Sequence, residues 1–469
     1  WLRLEPKSLS VSEVDAAVRL RRRYYLKSHE RGELMQIREL TLQNFRCFDQ
    51  LTLEFHPNLS VIVGSNGSGK TSILEGVAIA LSTMFVKMDG LSGRRIDKSQ
   101  AHLKAFALGS TKDVQPQYPV TVRAVAEIGN KKLTWARSLM RSTGNTTITD
   151  AKEMVELGVS YQNRLRQGDA SLILPMIAYY GTGRLWDYHR EKQNDVFETN
   201  NRMNGYLDCL DGTANIKLMM NWFSKMTIQK YQNQELGMGG IPELEAVYEA
   251  METCYKRITG CDAVKVQYNL GTKGLEVAYQ NEDGKWMRMP INQLSDGYKS
   301  TISLVADIAY RMAVLNPQLL GKVCQETDGI VLIDEVDLHL HPTWQQRILG
   351  DLAEIFPKVQ FIVSTHAPAV ISTVRSENII LLDQGMAYAP SGEVHGKDTN
   401  TIIRGVMHAS ERPVAIKTLF QEFYHWIDVD DTMKAEETLN ELKRNIGEDD
   451  PEIASCNIKL RLLKVRTVK

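Results

Sequence analysis

The alternation of hydrophobic and polar positions along the chain predicts a mixed α/β fold. Alternation is typical of a strand with one face on a core, and it predicts strands at 35–42, 51–55, 263–268 and 274–279 and a hairpin at 118–140. Continuous apolar runs are typical of strands buried on both faces, and they occur at 61–63, 171–180, 329–333, 359–365 and 379–382. The sequence therefore predicts an α/β protein that also contains an antiparallel β part.

Apolar residues at helical spacing predict helices between and after these strands. Such stretches follow Thr71 and occupy 294–312, 343–355 and much of 187–260, where a glycine-rich break at 237–242 separates two helical pieces. Near the end, helical spacing recurs at Phe420, Phe423 and Ile427 and again at Ala435, Leu439 and Leu442. We therefore expect a helical appendage at the end of the chain.

The composition is that of an ordinary globular protein, with 43% hydrophobic and 24% charged residues among 469. The formal net charge of −1 does not indicate a nucleic acid partner, so any such site must be local. The six cysteines are scattered without a C-x-x-C pair, which is typical of free thiols in a reducing compartment. No apolar run approaches the ~20 residues of a membrane span, and residues 1–30 lack a secretory pattern. We expect a cytoplasmic protein with no membrane partner.

A basic run at 19–27 contains four arginines, one lysine and two tyrosines. A cationic helix with aromatic side chains is suited to contact phosphates and to stack on bases. A solvated or partner-facing helix has the same composition. Both interpretations stay open.

The strongest chemical signal is the glycine-rich stretch from Gly64 to Thr71, which lies between an apolar run and a helical stretch. Its pattern G-x-x-x-x-G-K-[ST] is that of a phosphate-binding loop. Glycines let backbone N–H groups approach a phosphate, the lysine adds charge at the β- and γ-phosphates, and the threonine hydroxyl is a ligand for Mg²⁺. The predicted nucleotide-binding residues here are Asn66, Gly67, Ser68, Gly69, Lys70, Thr71 and Ser72, with Lys70 also catalytic.

Two adjacent carboxylates, Asp334 and Glu335, end the apolar run 329–333. In an α/β sheet, the carboxyl ends of the strands form the edge where ligands bind. Asp334 is therefore predicted to bind Mg²⁺ directly or through water, with Thr71 as the second metal ligand. Glu335 is predicted to polarise the attacking water.

Three histidines follow these carboxylates. His366 ends the run 359–365, where an imidazole is placed to hydrogen-bond a γ-phosphate or the attacking water, so it is a predicted catalytic residue. His339 and His341 have the chemistry of metal ligands, but no cysteine or further histidine lies near them. We favour a packing role for these two.

The order of these motifs resembles that of the ABC-type ATPases of the SMC, RecF and OLD group. By this resemblance the glycine-rich loop is Walker A, and the signature, Walker B, D-loop and H-switch are Leu294-Ser295-Asp296-Gly297, Asp334-Glu335, Asp337 and His366. Asn44-Phe45-Arg46-x-Phe48 resembles the N-terminal motif of the group. The resemblance implies an ABC-type P-loop head that uses ATP and Mg²⁺, with Arg46 near the nucleotide.

In such ATPases two protomers enclose ATP between them. The resemblance therefore implies a homodimer or higher homo-oligomer, in which Ser295 and Gly297 contact the γ-phosphate bound by the other protomer and Asp337 acts across the same interface. Arg184 stands at the position of the family's Q-loop but is not a glutamine. Asp296 stands where the transporter form of the signature has glycine, and we hypothesise that its charge slows turnover or prolongs the ATP-bound dimer.

Three further strings resemble the PtuA family of ATPases, from Septu-type anti-phage systems and those attached to retrons. These strings are Tyr179–Trp186, Leu338–Pro342 and Ile446–Ile453. The resemblance implies an ATPase that holds a partner HNH nuclease of the PtuB type. For retron-linked members it also implies a reverse transcriptase with its DNA–RNA product, for which the basic N-terminal helix is the candidate site.

Together, pattern and resemblance predict five segments. They are a basic helical extension (1–34), the N-terminal lobe of the ATPase head (35–186), a short helical arm inserted into the head (187–260), the C-terminal lobe (261–385) and a helical partner-binding region (386–469).

An alternative function is that of a stand-alone DNA-repair or nuclease ATPase of the RecF or OLD kind. OLD proteins carry a Toprim nuclease, which needs a glutamate and an Asp-x-Asp pair at strand ends. Asp428-Val429-Asp430 has that spacing, but it follows a helical stripe in a segment that is short and poor in strands. We therefore expect an ATPase that is not itself a nuclease.

Overall fold

A computed structural model of the protein describes residues 34–108, 110–183, 201–212, 216–281, 284–407 and 410–467. These residues form two compact units, one extending to Gly396 and one beginning at Lys397. The predicted basic N-terminal helix and Arg184 lie outside the described residues. Among the described helices, none combines the length and the apolar character that a membrane span requires.

The strands of the described residues all lie in the first unit. They are β1 (Met35–Phe45), β2 (Phe48–Glu54), β3 (Leu59–Gly64), β4 (Leu103–Leu108), β5 (Thr111–Pro116), β6 (Val120–Ile128), β7 (Lys131–Leu139), β8 (Met176–Tyr180), β9 (Val264–Asn269), β10 (Gly274–Gln280), β11 (Trp286–Pro290), β12 (Gly329–Ile333), β13 (Val359–Thr365), β14 (Ile379–Asp383) and β15 (Met386–Tyr388).

The α-helices of the described residues occur in both units. They are α1 (Lys70–Leu81), α2 (Lys152–Arg166), α3 (Ile216–Glu235), α4 (Pro242–Thr259), α5 (Asp296–Leu315), α6 (Val323–Glu326), α7 (Pro342–Gln345), α8 (Ile348–Ile355), α9 (Pro368–Ile371), α10 (Thr399–Gly405), α11 (Val414–Asp428), α12 (Thr432–Ile446) and α13 (Pro451–Thr467).

The central sheet has six strands in the order β15-β14-β3-β13-β12-β8, and all of its pairs are parallel except β14 with β15. In its register, Val63 pairs with Thr365, and Ile333 pairs with both Val363 and Tyr180. Four neighbouring strands therefore end at one edge. This alignment brings the residues that follow them together, although they are distant in sequence.

Helix α1 packs against strands of the central sheet and against an antiparallel sheet of order β2-β1-β6-β7. Most of its side chains are buried, because both sides of the helix are covered. Trp135 of β7 donates its indole N–H to the Ala80 carbonyl at 3.0 Å, which ties the antiparallel sheet to the helix. The helix that follows the glycine-rich loop thus lies between these two sheets of the first unit.

Two smaller antiparallel sheets complete the first unit, namely β11-β10-β9 and the hairpin β4-β5. The predicted hairpin at 118–140 is confirmed as β6 and β7, and Gly129 in its turn has a φ of 58°. The prediction of one continuous helix over 343–355 is wrong. This stretch is divided into α7 and α8, because Arg347 leaves the helical path at a φ of −118°.

The second unit is helical. Helices α11, α12 and α13 share an apolar core formed by Phe420, Phe423, Ala435, Leu439, Leu442, Ile453, Cys456 and Leu460. The positions that repeat at helical spacing in the sequence are buried, except Ile427, which is partly buried and packs against this core. The predicted fold class, α/β with an antiparallel part and a helical C-terminal part, is confirmed.

Candidate nucleotide site

The glycine-rich loop is shaped by two glycines with left-handed backbone, Gly67 at a φ of 80° and Gly69 at 104°. A Cβ on Gly69 would lie 2.4 Å from the Phe48 ring and 2.6 Å from the Cys47 sulfur. Only glycine fits this position, both because of its φ and because the neighbouring turn packs directly on it. The predicted N-terminal motif therefore contacts the loop through its aromatic residue.

Lys70 begins helix α1, and its side chain folds back over the loop. Its ammonium donates to the carbonyls of Gly64 at 2.9 Å and Ser65 at 3.0 Å. Burial lowers the pKa of Lys70, and the charges of nearby carboxylates oppose that shift, Asp334 most strongly. A lysine held in this way presents its charge at a fixed place above the loop.

The two predicted metal ligands, Thr71 and Asp334, meet directly. The Thr71 hydroxyl donates to the Asp334 carboxylate at 2.7 Å, although the residues lie in separate elements. Asp334 is buried, and its backbone N–H donates to the Tyr180 carbonyl at 2.8 Å. A hydroxyl oxygen beside a carboxylate is the donor set that Mg²⁺ prefers when phosphates and waters supply its other ligands. The residues present therefore fit a magnesium ion.

Ser364 was not singled out from the sequence, yet it organises both carboxylates. Its hydroxyl donates to Asp334 and accepts the backbone N–H of Glu335 at 2.8 Å. Glu335 has a φ of 48°, so the chain turns sharply here and its carboxylate leaves the line of the strand. The signal that could have indicated this role in the sequence is a hydroxyl residue near the end of a buried strand, two positions before His366.

Thr365, the residue before His366, bonds to Asp337 and to the turn that follows the histidine. Its hydroxyl donates to Asp337 and accepts the backbone N–H of Ala367 at 3.0 Å. Burial and the Lys70 charge lower the pKa of His366 from its ordinary 6.5, whereas nearby carboxylates act in the opposite direction. The lowered pKa favours the neutral imidazole, which has one N–H to donate.

Arg46 pairs with Glu75, one turn after the start of α1, and this partner was missed in the sequence. Its backbone has a φ of 50°, and its N–H donates to the Gln100 carbonyl at 2.7 Å. The Gln100 side chain in turn donates to Glu75 at 3.2 Å. The arginine is thus held against the helix that follows the glycine-rich loop.

The signature residues Ser295, Asp296 and Gly297 lie at the start of helix α5. Ser295 precedes helix α5, and its carbonyl accepts the N–H of Lys299 at 3.0 Å. A Cβ on Gly297 would lie 2.6 Å from the His339 carbonyl oxygen, so the helix start packs tightly on the turn that follows Asp337. Asp296 forms an ion pair with Lys299 at 2.9 Å.

His339 and His341, for which a packing role was predicted, are both exposed, so neither packs in the core. The His341 ring precedes α7, where its Nδ1 accepts the N–H of Thr343 at 3.4 Å and the ring centroid lies 6.3 Å from that of Trp344. Within the described residues, no group of three or more histidine, cysteine, aspartate and glutamate side chains is arranged to hold a metal ion.

Comparison with known proteins identifies the family of the chain. A family model described as an AAA domain matches residues 39–259, and a second AAA domain model, whose description adds the AbiEii toxin of type IV toxin–antitoxin systems, matches residues 180–372. The "Retron Vc95 probable ATPase" of Vibrio cholerae serotype O1 biovar El Tor is 27% identical, and the match covers 81% of this chain and 80% of that protein. The chain is an AAA-family ATPase.

This ATPase is homologous to retron and Septu ATPases, as the resemblance predicted. The "Retron Ec83 probable ATPase" of Escherichia coli is 27% identical, over 92% of this chain and 88% of that protein. The "Septu protein PtuA" of Bacillus thuringiensis is 24% identical, over 74% of this chain and 76% of that protein. A solved SmcHead bound to the C-winged helix domain of ScpA matches 76% of this chain and 97% of its own, at 16% identity and a TM-score of 0.43.

The carboxylate pair weighed for a nuclease lies in the second unit of this ATPase. Asp428 is the last residue of α11, and Asp430, with a φ of 58°, belongs to the turn before α12. The backbone N–H of Asp430 donates to the Ile427 carbonyl at 3.3 Å. The pair therefore lies between two helices rather than at strand ends.

Proposed function

We propose that this protein binds ATP with Mg²⁺, encloses it between two copies of the chain, and thereby controls a partner HNH nuclease in an anti-phage defence complex. The observation that supports the proposal most directly is the hydrogen bond from Thr71 to Asp334. This bond joins the predicted phosphate-binding loop to Asp334, the first of the two carboxylates that we assign to the metal ion and the attacking water. The names of the retron and Septu relatives support the defence role.

In the proposed reaction, the backbone N–H groups of Asn66–Thr71 and the side chains of Ser68, Ser72 and Lys70 hold the phosphates. Thr71 and Asp334 would hold Mg²⁺, which neutralises charge on the β- and γ-phosphate oxygens. Glu335 orients the attacking water and accepts its proton. His366, as a neutral imidazole, donates its N–H to the γ-phosphate or positions the water. Arg46 adds a cation on the side of α1.

The second copy would complete the site. Ser295 and Gly297 lie at the start of the 20-residue helix α5, where unpaired N–H groups and the helix dipole favour an anion. We assign these two residues to the γ-phosphate held by the other copy, and Asp337 to contacts across the same interface. A homodimer is the minimum assembly, and higher homo-oligomers are compatible with it.

We assign each proposed partner to a segment of the chain. We assign the helical region 386–469 to the HNH nuclease of the PtuB type. The basic extension 1–34 is assigned to a reverse transcriptase with its DNA–RNA product, and the predicted lobes 35–186 and 261–385, with the arm 187–260, form the ATPase head. A cytoplasmic location follows from this role.

The test is co-purification of tagged protein with its genomic neighbours, with bound nucleotide measured, for wild type, Lys70→Ala and Glu335→Gln. We expect Glu335→Gln to retain ATP and the nuclease, and Lys70→Ala to lose bound nucleotide. The exposed residues Lys87 and Glu377 provide matched controls, Lys87→Ala and Glu377→Gln, which should behave as wild type. Absence of ATP from Glu335→Gln would contradict the proposed site.

The second candidate is a stand-alone DNA-repair or nuclease ATPase of the RecF or OLD kind. It requires DNA cleavage by this chain alone in the presence of Mg²⁺. If the purified protein degrades linear DNA and Asp428→Asn abolishes that activity while Glu422→Asn does not, this candidate replaces the first. If an HNH protein co-purifies and this chain alone leaves DNA intact, the first is supported.

A further inference from the structure

A buried polar cluster links helix α5 to the end of strand β8, which pairs with strand β12. The Tyr180 hydroxyl donates to the Asp307 carboxylate at 2.7 Å, and Arg311 donates to the same oxygen at 2.7 Å. All three side chains are almost fully buried, with exposures of 2% or less. Burial raises the pKa of Tyr180 well above its ordinary value, so its hydroxyl keeps the proton that it donates.

The cluster connects the helix that carries the signature residues to the strand end that contacts Asp334. Asp307 lies on α5 about three turns after Gly297. Tyr180 is the last residue of β8, and its carbonyl accepts the N–H of Asp334 at 2.8 Å. A shift of α5 along its axis therefore has to move this strand end or break the hydroxyl bond.

Helix α5 has a second anchor nearby. Arg311 also donates to the carbonyls of Gly205 at 3.0 Å and Leu207 at 2.8 Å. The segment that carries these carbonyls runs beside β8, where the N–H of Tyr179 donates to the Cys209 carbonyl at 2.7 Å. Removing the Tyr180 hydroxyl thus leaves the Asp307–Arg311 pair and this anchor in place, and the fold should persist.

We propose that Tyr180 is a positioning residue whose hydroxyl bond to Asp307 sets the position of the α5 start relative to the metal-binding carboxylate of the same copy. This inference rests on the proposed ATP sandwich and deepens it. In each copy, the start of α5 would contact the γ-phosphate bound by the other copy, while Asp334 would hold the metal of the ATP bound by the same copy. Buried polar networks of this kind are rigid, so a change at one end reaches the other.

The chain offers a matched control in Tyr206. Its hydroxyl is also fully buried, and it donates to the Pro175 carbonyl at 2.8 Å rather than to α5. Tyr180→Phe and Tyr206→Phe therefore remove the same atom from similar surroundings. Both are made in the full chain carrying Glu335→Gln, which slows hydrolysis.

Two quantities are measured, the ATP affinity at protein concentrations too low for association, and the protein concentration at half-association with saturating ATP. We expect Tyr180→Phe to raise the concentration at half-association about tenfold, since a buried hydrogen bond to a charged group has roughly that effect. Its ATP affinity should stay within about twofold of the parent. Tyr206→Phe should change neither quantity by more than about twofold.

The inference is overturned if Tyr180→Phe associates like its parent, or if both phenylalanine variants weaken association equally. It is also overturned if Tyr180→Phe is partly unfolded at the temperature of the association measurement, because the bond then serves the fold. If the Glu335→Gln parent itself fails to associate with ATP, the sandwich is wrong and the inference falls with it. The parent measurement thus separates the two failures.

Discussion

The hydroxyl of Ser364, at the end of β13, donates a hydrogen bond to the carboxylate of Asp334 on the neighbouring strand β12. This bond leaves Asp334 one oxygen that accepts from Ser364 and one that accepts from Thr71 at 2.7 Å. The carboxylate is therefore held from both sides by hydroxyl groups. Such outer-shell partners orient metal ligands in proteins.

Ser364→Ala should raise the Mg²⁺ concentration needed for half-maximal ATPase activity by about tenfold, since second-shell changes typically have effects of this size. The measurement is a Mg²⁺ titration at saturating ATP. Ser372→Ala is the control, because the Ser372 hydroxyl donates only to the Ala369 carbonyl, at 2.9 Å, one turn earlier. Equal Mg²⁺ requirements for wild type and Ser364→Ala would contradict this role.

Gly69→Ala should destabilise the first unit and abolish nucleotide binding. The added methyl meets the Phe48 ring at 2.4 Å, and the φ of 104° adds strain of about 1–3 kcal/mol. Gly90→Ala separates the two effects, because Gly90 has a φ of 76° but open space around its Cβ position. Thermal melts should show a larger loss for Gly69→Ala. Similar losses for both variants would mean that the contact with Phe48 contributes nothing.

His366 should make the protein less stable as the pH falls below 6.5. Burial and the Lys70 charge lower its pKa in the folded state, so the unfolded chain binds the proton more tightly. Its contribution to the free energy of unfolding is present above pH 6.5 and is lost as the pH falls toward the folded-state pKa. His366→Gln should reduce this pH dependence in urea melts between pH 5.5 and 7.5. An unchanged slope for His366→Gln would show that the shift is absent.

Asp296→Gly should accelerate ATP turnover or shorten the life of the ATP-bound assembly. The carboxylate stands at the start of α5, where a glycine would remove negative charge near the proposed γ-phosphate. Lys299 partly compensates this charge through its ion pair with Asp296 at 2.9 Å. Single-turnover hydrolysis and dissociation after ATP dilution are the measurements. Unchanged turnover and dimer lifetime in Asp296→Gly would eliminate the hypothesis.

Local sequence determined the features whose physics is local. The loop from Gly64 to Thr71, the helix after it and the strand ending at Asp334 were all predicted, because glycine placement, helical period and a buried apolar run act over a few residues. The exposed hairpin β4-β5 was not found. Nearly all of its side chains are in water on both faces, so its sequence carries no alternation.

Tertiary packing brings these residues together and supplies the side chains that hold them. Thr71 touches Asp334, Arg46 pairs with Glu75, and Gly297 packs on the His339 carbonyl. None of these contacts follows from spacing along the chain, because each joins elements whose proximity is set by the order and register of the sheet and by how the helices pack on it. Local sequence patterns specified a phosphate-binding loop and a buried strand followed by two adjacent carboxylates. The parallel register of β3, β13, β12 and β8 made them one site, because it ends the four strands at the same edge.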